Sequence, residues 1–220
     1  MSRKRTTPVR KSGRPARGEE DERRDDLLKA VLEIFQQQGF AGTSLDEISR
    51  VAHVAKRTIY EQFGGKEGLF AAAIERAATR LIGHFPHERG VSDLRENLIS
   101  IGCSILTYVL QPKNIAIYRL VVGEAERQPN LARMFYGHGP ARVIASIAEL
   151  IAQHLPPERP AQDEPTRLAR DFIGLVVLEI QQRATLGMLE PMRPGQIETH
   201  VARAVTQFLD AHGKKFPISK

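Results

Sequence analysis

The chain has one cysteine, Cys103, and no tryptophan. A single thiol excludes a disulfide framework and paired-cysteine zinc sites. No apolar run approaches the ~20 residues that a membrane span requires; the longest, from Phe172 to Leu178, is a fragment of a helix. No apolar core follows the basic N-terminal residues, so a secretory signal is not expected, and a soluble cytoplasmic protein is. Alternating strand patterns of useful length are missing, as are internal repeats. HExxH, GxSxG and Walker-type motifs are absent: Gly64-Gly65-Lys66 continues with Glu67, not with Ser or Thr. The seven histidines show no metal spacing, since His84 and His87 stand alone with Pro86 between them. No catalytic residue, metal or cofactor is therefore expected.

What is present is helical period and uneven charge. Apolar types make up 41% of the 220 residues, enough for a packed core. The net charge is +6, yet residues 1–18 hold seven bases and no acid, so the remainder is close to neutral. A basic arm on a near-neutral body fits a polyanion partner or a solubilising tail equally well. Residues 1–22 read as a disordered arm. From Arg23, Leu27, Leu28, Val31, Ile34 and Phe35 follow the i, i+3/i+4, i+7 rule up to Gly39. Ser44-Leu45-Asp46-Glu47 is a capping box that opens a second helix. A short third helix covers roughly Lys56–Gln62 with Ile59 and Phe63 inward. A fourth begins near Lys66, and further helices run to Ala211. The fold class is all-α, with residues 23–66 as a helix-turn-helix unit, 67–212 as a helical effector and dimerisation domain, and 213–220 as a tail.

Three helices in about forty residues with a tight turn before the third are the size of a helix-turn-helix unit, whose third helix lies in the major groove. Its outer face offers Lys56, Arg57, Thr58 and Tyr60 to bases and phosphates. Thr43, Ser44 and Lys66 stand at helix starts, where free N–H groups bind phosphate, and Arg50 falls nearby. Residues 19–66 hold ten acids against seven bases, so binding must rest on placement, with the acids at 19–26 held away from DNA. The arm adds Arg14 and Arg17, and Gly13-Arg14-Pro15-Ala16-Arg17-Gly18 resembles the core of an AT-hook. A minor-groove reader and an electrostatic arm are both open.

The run Gly39-Phe40 through Thr43, Ile48, Ala52, Val54, Thr58-Ile59-Tyr60, Phe63 and Lys66-Glu67 with Leu69 resembles the N-terminal domain of TetR-family transcriptional regulators. The segment Tyr118 to Pro140 resembles the effector domain of the AefR-like branch. The chain departs from the usual pattern at His53, where the turn usually has Gly, and at Ala55, Gln62 and Gly65. The resemblance implies a dimeric, mostly repressing DNA-binding regulator whose C-terminal helices bind a small effector; two-fold symmetry makes the expected double-stranded operator palindromic, and a pocket among helices makes the expected effector apolar or amphipathic. The resemblance places the dimer contact on the last two helices, near 166–186 and 195–211. Candidates for the effector pocket are Cys103, Tyr108, Tyr118, Arg119, Phe135, Tyr136, His138 and Phe172. Each also has an ordinary reading: Phe135, Phe172 and Cys103 as core, Arg119 as an ion-pair partner, His138 as a turn residue. The competing class is an architectural DNA-binding protein that relies on its arm.

Overall fold

The computed structural model describes residues 17–86, 94–156 and 163–216. Among these there are ten α-helices, a closing 3-10 turn and no strand: α1 (Arg17–Gly42), α2 (Leu45–Ala52), α3 (Lys56–Phe63), α4 (Lys66–Ile82), α5 (Leu94–Val109), α6 (Pro112–Glu124), α7 (Pro129–His138), α8 (Pro140–Ala152), α9 (Glu164–Thr185) and α10 (Pro194–His212). Prolines open α6, α7, α8 and α10, where the missing N–H costs nothing. The all-α expectation is met.

Helix α1 corrects the arm's boundary. It begins at Arg17, six residues before the expected start, so residues 17–22 are helical rather than a disordered arm. The acids at 19–22 fall in its first turns, where the helix dipole favours negative charge. Arg14 and the rest of the arm lie outside the described residues. At the other end, Gly39 adopts φ 75° and ψ 165°, breaking the helix as its residue type implies. The break turns Phe40 back against Phe35 and Phe70, whose ring centroids lie 5.1–5.7 Å apart.

Two cores result. The N-terminal one gathers Leu27, Leu28, Val31, Ile34 and Phe35 of α1, Ile48, Ile59, and Leu69, Phe70, Ala73 and Ile74 of α4. It also takes in Ile117 and Val121 of α6 and Leu131 of α7, so α1–α3 are packed onto the body rather than strung beside it. The second core is built from α5, α8, α9 and α10 around Phe172 and Phe208, edge to face at 5.8 Å. Helix α9 turns Phe172, Val176 and Ile180 inward but leaves Leu175 and Leu178 on its outer side, Leu178 69% exposed.

Candidate nucleic-acid interface and effector cavity

Helix α2 is capped by Ser44, whose Oγ accepts from the Glu47 N–H at 3.2 Å. Only that half of the expected box forms. The Glu47 carboxylate instead accepts from Gln38 at 2.5 Å, pinning α2 to α1. The turn between α2 and α3 puts His53 at φ 53°, the left-handed conformation where the family usually has Gly. Ser49 secures it by donating to the Val54 carbonyl at 2.7 Å. Helix α3 then buries Ile59 and presents Lys56, Arg57 and Tyr60 outward, with Thr58 half-buried.

The outward cations are held by acids. Lys56 pairs with Asp46, bridging α3 to α2. Arg57 donates to Glu61 at 2.6 Å on the next turn, and Arg50 lies 3.9 Å from Glu47. The Arg57 side chain is 87% exposed. Such pairs contribute about 0–1 kcal/mol and exchange readily for a phosphate. Tyr60 is 58% exposed, and its ring edge approaches Gly65, at the start of α4. Arg50, Ser44, Lys56, Arg57 and Tyr60 therefore all lie exposed on this unit. Arg17 heads α1.

Two expected contacts are turned inward. Thr43 is buried, and its hydroxyl donates to the Gly39 carbonyl at 2.7 Å. Lys66 is half-buried: its ammonium donates to the carbonyls of Phe40 at 2.8 Å and Thr43 at 3.0 Å, and sits 4.5 Å above the Phe40 ring. Lys66 thereby fastens the segment that follows the Gly39 break to the start of α4. Both side chains thus shape the interface from within. The acid cluster is also partly spent internally. Asp25 accepts from Arg76 at 2.6 Å and from Arg80, tying α1 to α4. The hydrogen bond from Arg76 leads in holding its carboxyl below the ordinary range. Arg24 lies 5.1 Å over the Phe63 ring, tying α1 to α3.

The body holds a partly open cavity of about 170 Å³ between α4, α5, α6, α7, α8 and α9. Of the expected pocket residues it contains Tyr108, Tyr118 and Phe135. Tyr118 and Phe135 form one wall, their ring centroids 6.1 Å apart. Burial pushes the Tyr108 phenol up, so it stays protonated. The other candidates lie elsewhere. Phe172 is fully buried in the second core. Arg119 donates to the carbonyls of Thr185 at 2.7 Å and Ala184 at 2.9 Å, closing the end of α9. Tyr136 is exposed. His138 sits 3.3 Å from Glu75, which also pairs with Arg142 at 2.9 Å. Cys103 packs beside the second core, and burial raises its thiol, as does Glu198; it is not a poised thiolate.

Several lining residues escaped the sequence reading: Asn114 on α6, Gln181 on α9, Ile74 and Ala78 on α4, and Leu32 on α1. A signal existed for two of them. Gln181 interrupts the apolar line Ile173–Val177 at spacing four, and Asn114 interrupts the line that continues through Ile117, Tyr118 and Val121. No helix among the described residues is long and apolar enough to cross a membrane, and no group of three potential metal ligands occurs among them.

Two family models match this chain. Bacterial regulatory proteins of the tetR family match over residues 27–73, and the AefR-like transcriptional repressor C-terminal domain matches over residues 96–214. The transcriptional repressor NicS of Pseudomonas putida is 41% identical over 67 residues, covering 30% of this chain and 31% of NicS. The transcriptional activator FasR of Mycolicibacterium smegmatis is 37% identical over 62 residues, covering 28% of each chain. The chain thus spans about a third of the length of these curated relatives. Likeness to solved structures runs further. The flavonoid-responsive regulator FrrA is 30% identical with a TM-score of 0.68, covering 87% of this chain and 97% of FrrA. A TetR-family regulator from Mesorhizobium loti shares the fold at 21% identity, with a TM-score of 0.70 over 90% of this chain and 98% of that one. With its helix-turn-helix segment and more than half its length matched by family models, the chain belongs to the TetR family of DNA-binding transcriptional regulators.

Proposed function

We propose that this regulator is a ligand-responsive repressor that binds a palindromic operator as a homodimer and is released by a small apolar or amphipathic effector. One observation carries the reading. Helix α4 walls the effector cavity with Ile74, Ala78 and Leu81, and its first residue, Lys66, holds the loop on which α2 is mounted. Cavity and recognition unit therefore share a rigid element. An effector that fits better when α4 is displaced shifts the spacing of the two recognition helices away from the ~34 Å repeat of successive major grooves. It acts as a switch only if it binds the released form more tightly than the DNA-bound form.

The dimer contact runs over the outer faces of α9 and α10, where Leu175 and Leu178 face outward without cover from their own chain. On DNA, Arg57 reads a base edge, Tyr60 and Ser44 hold phosphates, and Arg50, Lys56 and Thr58 flank them. The basic arm with Arg14, and Arg17 at the head of α1, add salt-dependent affinity. NicS is named a repressor and FasR an activator; the match over residues 96–214 to a repressor domain favours repression here.

The test is fluorescence anisotropy on the intergenic DNA beside the protein's own gene, against a scrambled duplex of equal length at two salt concentrations. Specific binding about 10³-fold tighter than random is expected. Equal affinities that collapse together as salt rises would favour the arm-driven architectural reading, provided deletion of residues 1–16 then abolishes binding. Arg57→Ala should weaken the operator more than random DNA; equal losses would make Arg57 a phosphate contact.

A further inference from the structure

We infer that the cavity selects an uncharged molecule built on a single aromatic ring, carrying a hydroxyl or carbonyl group that meets the Gln181 amide. The inference names the effector class and rests on the ligand-responsive reading above.

Charge is the first argument. None of the side chains lining the cavity is Asp, Glu, Lys, Arg or His. A carboxylate or an ammonium group lodged there would lose much of its water and find no counter-ion, a cost that an uncharged group avoids. The nearest charged set, Glu75 with Arg142 at 2.9 Å and His138 at 3.3 Å, is paired within itself and stands outside the lining.

Size and shape come next. About 170 Å³ is close to the engineered apolar cavity of ~150 Å³ that takes up benzene. One substituted ring fills it; a long acyl chain or a fused three-ring system would have to project through its open side. The Tyr118 and Phe135 rings, tilted 56° to each other, offer a face and an edge to a ligand ring.

The polar groups complete the selection. Asn114 donates to the Tyr108 carbonyl at 2.6 Å, so its NH₂ group is partly used. Among the described residues, neither the Gln181 amide nor the Tyr118 hydroxyl has a hydrogen-bond partner. Gln181 offers both a donor and an acceptor on an otherwise apolar line of α9. A ligand carbonyl or hydroxyl satisfies it; a bare hydrocarbon leaves it unpaired.

The test is calorimetric titration of the full chain at neutral pH with four probes: para-hydroxyacetophenone, para-hydroxybenzoate, ethylbenzene and the three-ring flavonoid naringenin. Operator release is followed in parallel by anisotropy. The ketone should bind at least roughly 100-fold more tightly than the carboxylate of the same ring. Gln181→Leu should weaken the ketone about tenfold, because one hydrogen bond is lost, and should strengthen ethylbenzene, because no amide is then left unpaired beneath it. Val177→Phe, checked for helicity and operator binding, should abolish binding of both by filling the cavity. Equal binding of the carboxylate, tighter binding of naringenin, no effect of Gln181→Leu, or no binding of the ketone would each overturn the inference. If naringenin releases operator while the ketone does not bind, the effector reading stands and the ligand class falls. If the ketone binds with the expected selectivity but operator is never released, the class stands and the release reading falls.

Discussion

Replacing Lys66 by Met separates two roles that the sequence could not tell apart. The thioether chain keeps most of the stem that covers Phe40 but removes the ammonium. Two charge-assisted bonds to the carbonyls of Phe40 and Thr43 are lost, at 2.8 and 3.0 Å. Each is worth about 1.5 kcal/mol at this partial burial, at the lower end for bonds to a charged group. The cation over the Phe40 ring adds about 0.5 kcal/mol. Water can reach part of the loop and recover some of this, so a loss of about 2–3 kcal/mol is expected. For a chain of this size that corresponds to a fall in Tm of roughly 4–12 °C. The affinity for operator should fall as well, because the loop that carries α2 loosens, but the slope of log affinity against log salt should not change. A phosphate contact behaves in the opposite way: its removal lowers the slope by about 0.9 per subunit, and so by about 1.8 for a dimer. Melting by circular dichroism and anisotropy titrations at several salt concentrations decide between them. An unchanged Tm with a slope reduced by that amount would refute the clamp and return Lys66 to the DNA surface.

The remaining predictions concern the same joint and its neighbours. Asp25 has its carboxyl lowered below its ordinary value near 3.8, chiefly by the hydrogen bond from Arg76, so its contribution is complete above that value and is lost as pH falls through the lowered one. Asp25→Asn should cost about 1–2 kcal/mol at neutral pH, since Arg76 and Arg80 are themselves partly exposed, and acid melts should show a shallower loss of stability below pH ~4 than in the wild type. Gly68→Ala places a methyl 1.7 Å from the Phe63 carbonyl oxygen, which forces the α3–α4 corner open; a loss of about 2–4 kcal/mol and weakened operator binding should appear together in melts and anisotropy. Tyr60→Phe should leave stability within about 0.5 kcal/mol and weaken operator and scrambled DNA alike; unchanged affinity would remove its hydroxyl from the phosphate contacts. Leu32→Ala should leave effector affinity within a few-fold while reducing the ratio of operator affinities without and with effector, measured by anisotropy.

Much of the architecture was legible because it is written in short-range chemistry. The break at Gly39, the Ser44 cap and the start of α4 at Lys66 each follow from local residue chemistry, whereas the left-handed turn at His53 was indicated only by the family pattern, which has Gly there. What was not legible depends on direction. A threonine and a lysine at helix starts look like phosphate ligands until the Gly39 break turns the carbonyls of Gly39, Phe40 and Thr43 toward them. Phe172 and Phe135 are both aromatic residues on apolar helices. Only the packing of α9 against α10 sends one into the core, while Phe135 remains beside the cavity. The start of α1 was missed for a different reason. Its first turns carry charge rather than apolar period, and Asp25 is anchored by arginines about fifty residues downstream, which no local pattern reveals.

The way α1 meets the body sets what an effector can do. Leu32 lines the cavity and also packs against the N-terminal core, so a ligand touches the DNA-binding unit's own first helix as well as α4. Gln36 on the same helix donates to the Lys113 carbonyl at the start of α6 at 2.9 Å, and α6 supplies Asn114 and Tyr118 to the same cavity. A close-packed core does not absorb an inserted ring by compression; it shifts as a unit. The joint must then yield within a coupling energy of about 1–3 kcal/mol. The polar ties that hold α1, Asp25 to Arg76 and Arg80 and Gln36 to Lys113, are of that size and can re-form after a small displacement, whereas the buried phenylalanine cluster within the unit cannot be opened for so little. On the proposed effector reading the recognition unit is therefore expected to move whole, with its internal packing intact and its polar moorings re-made.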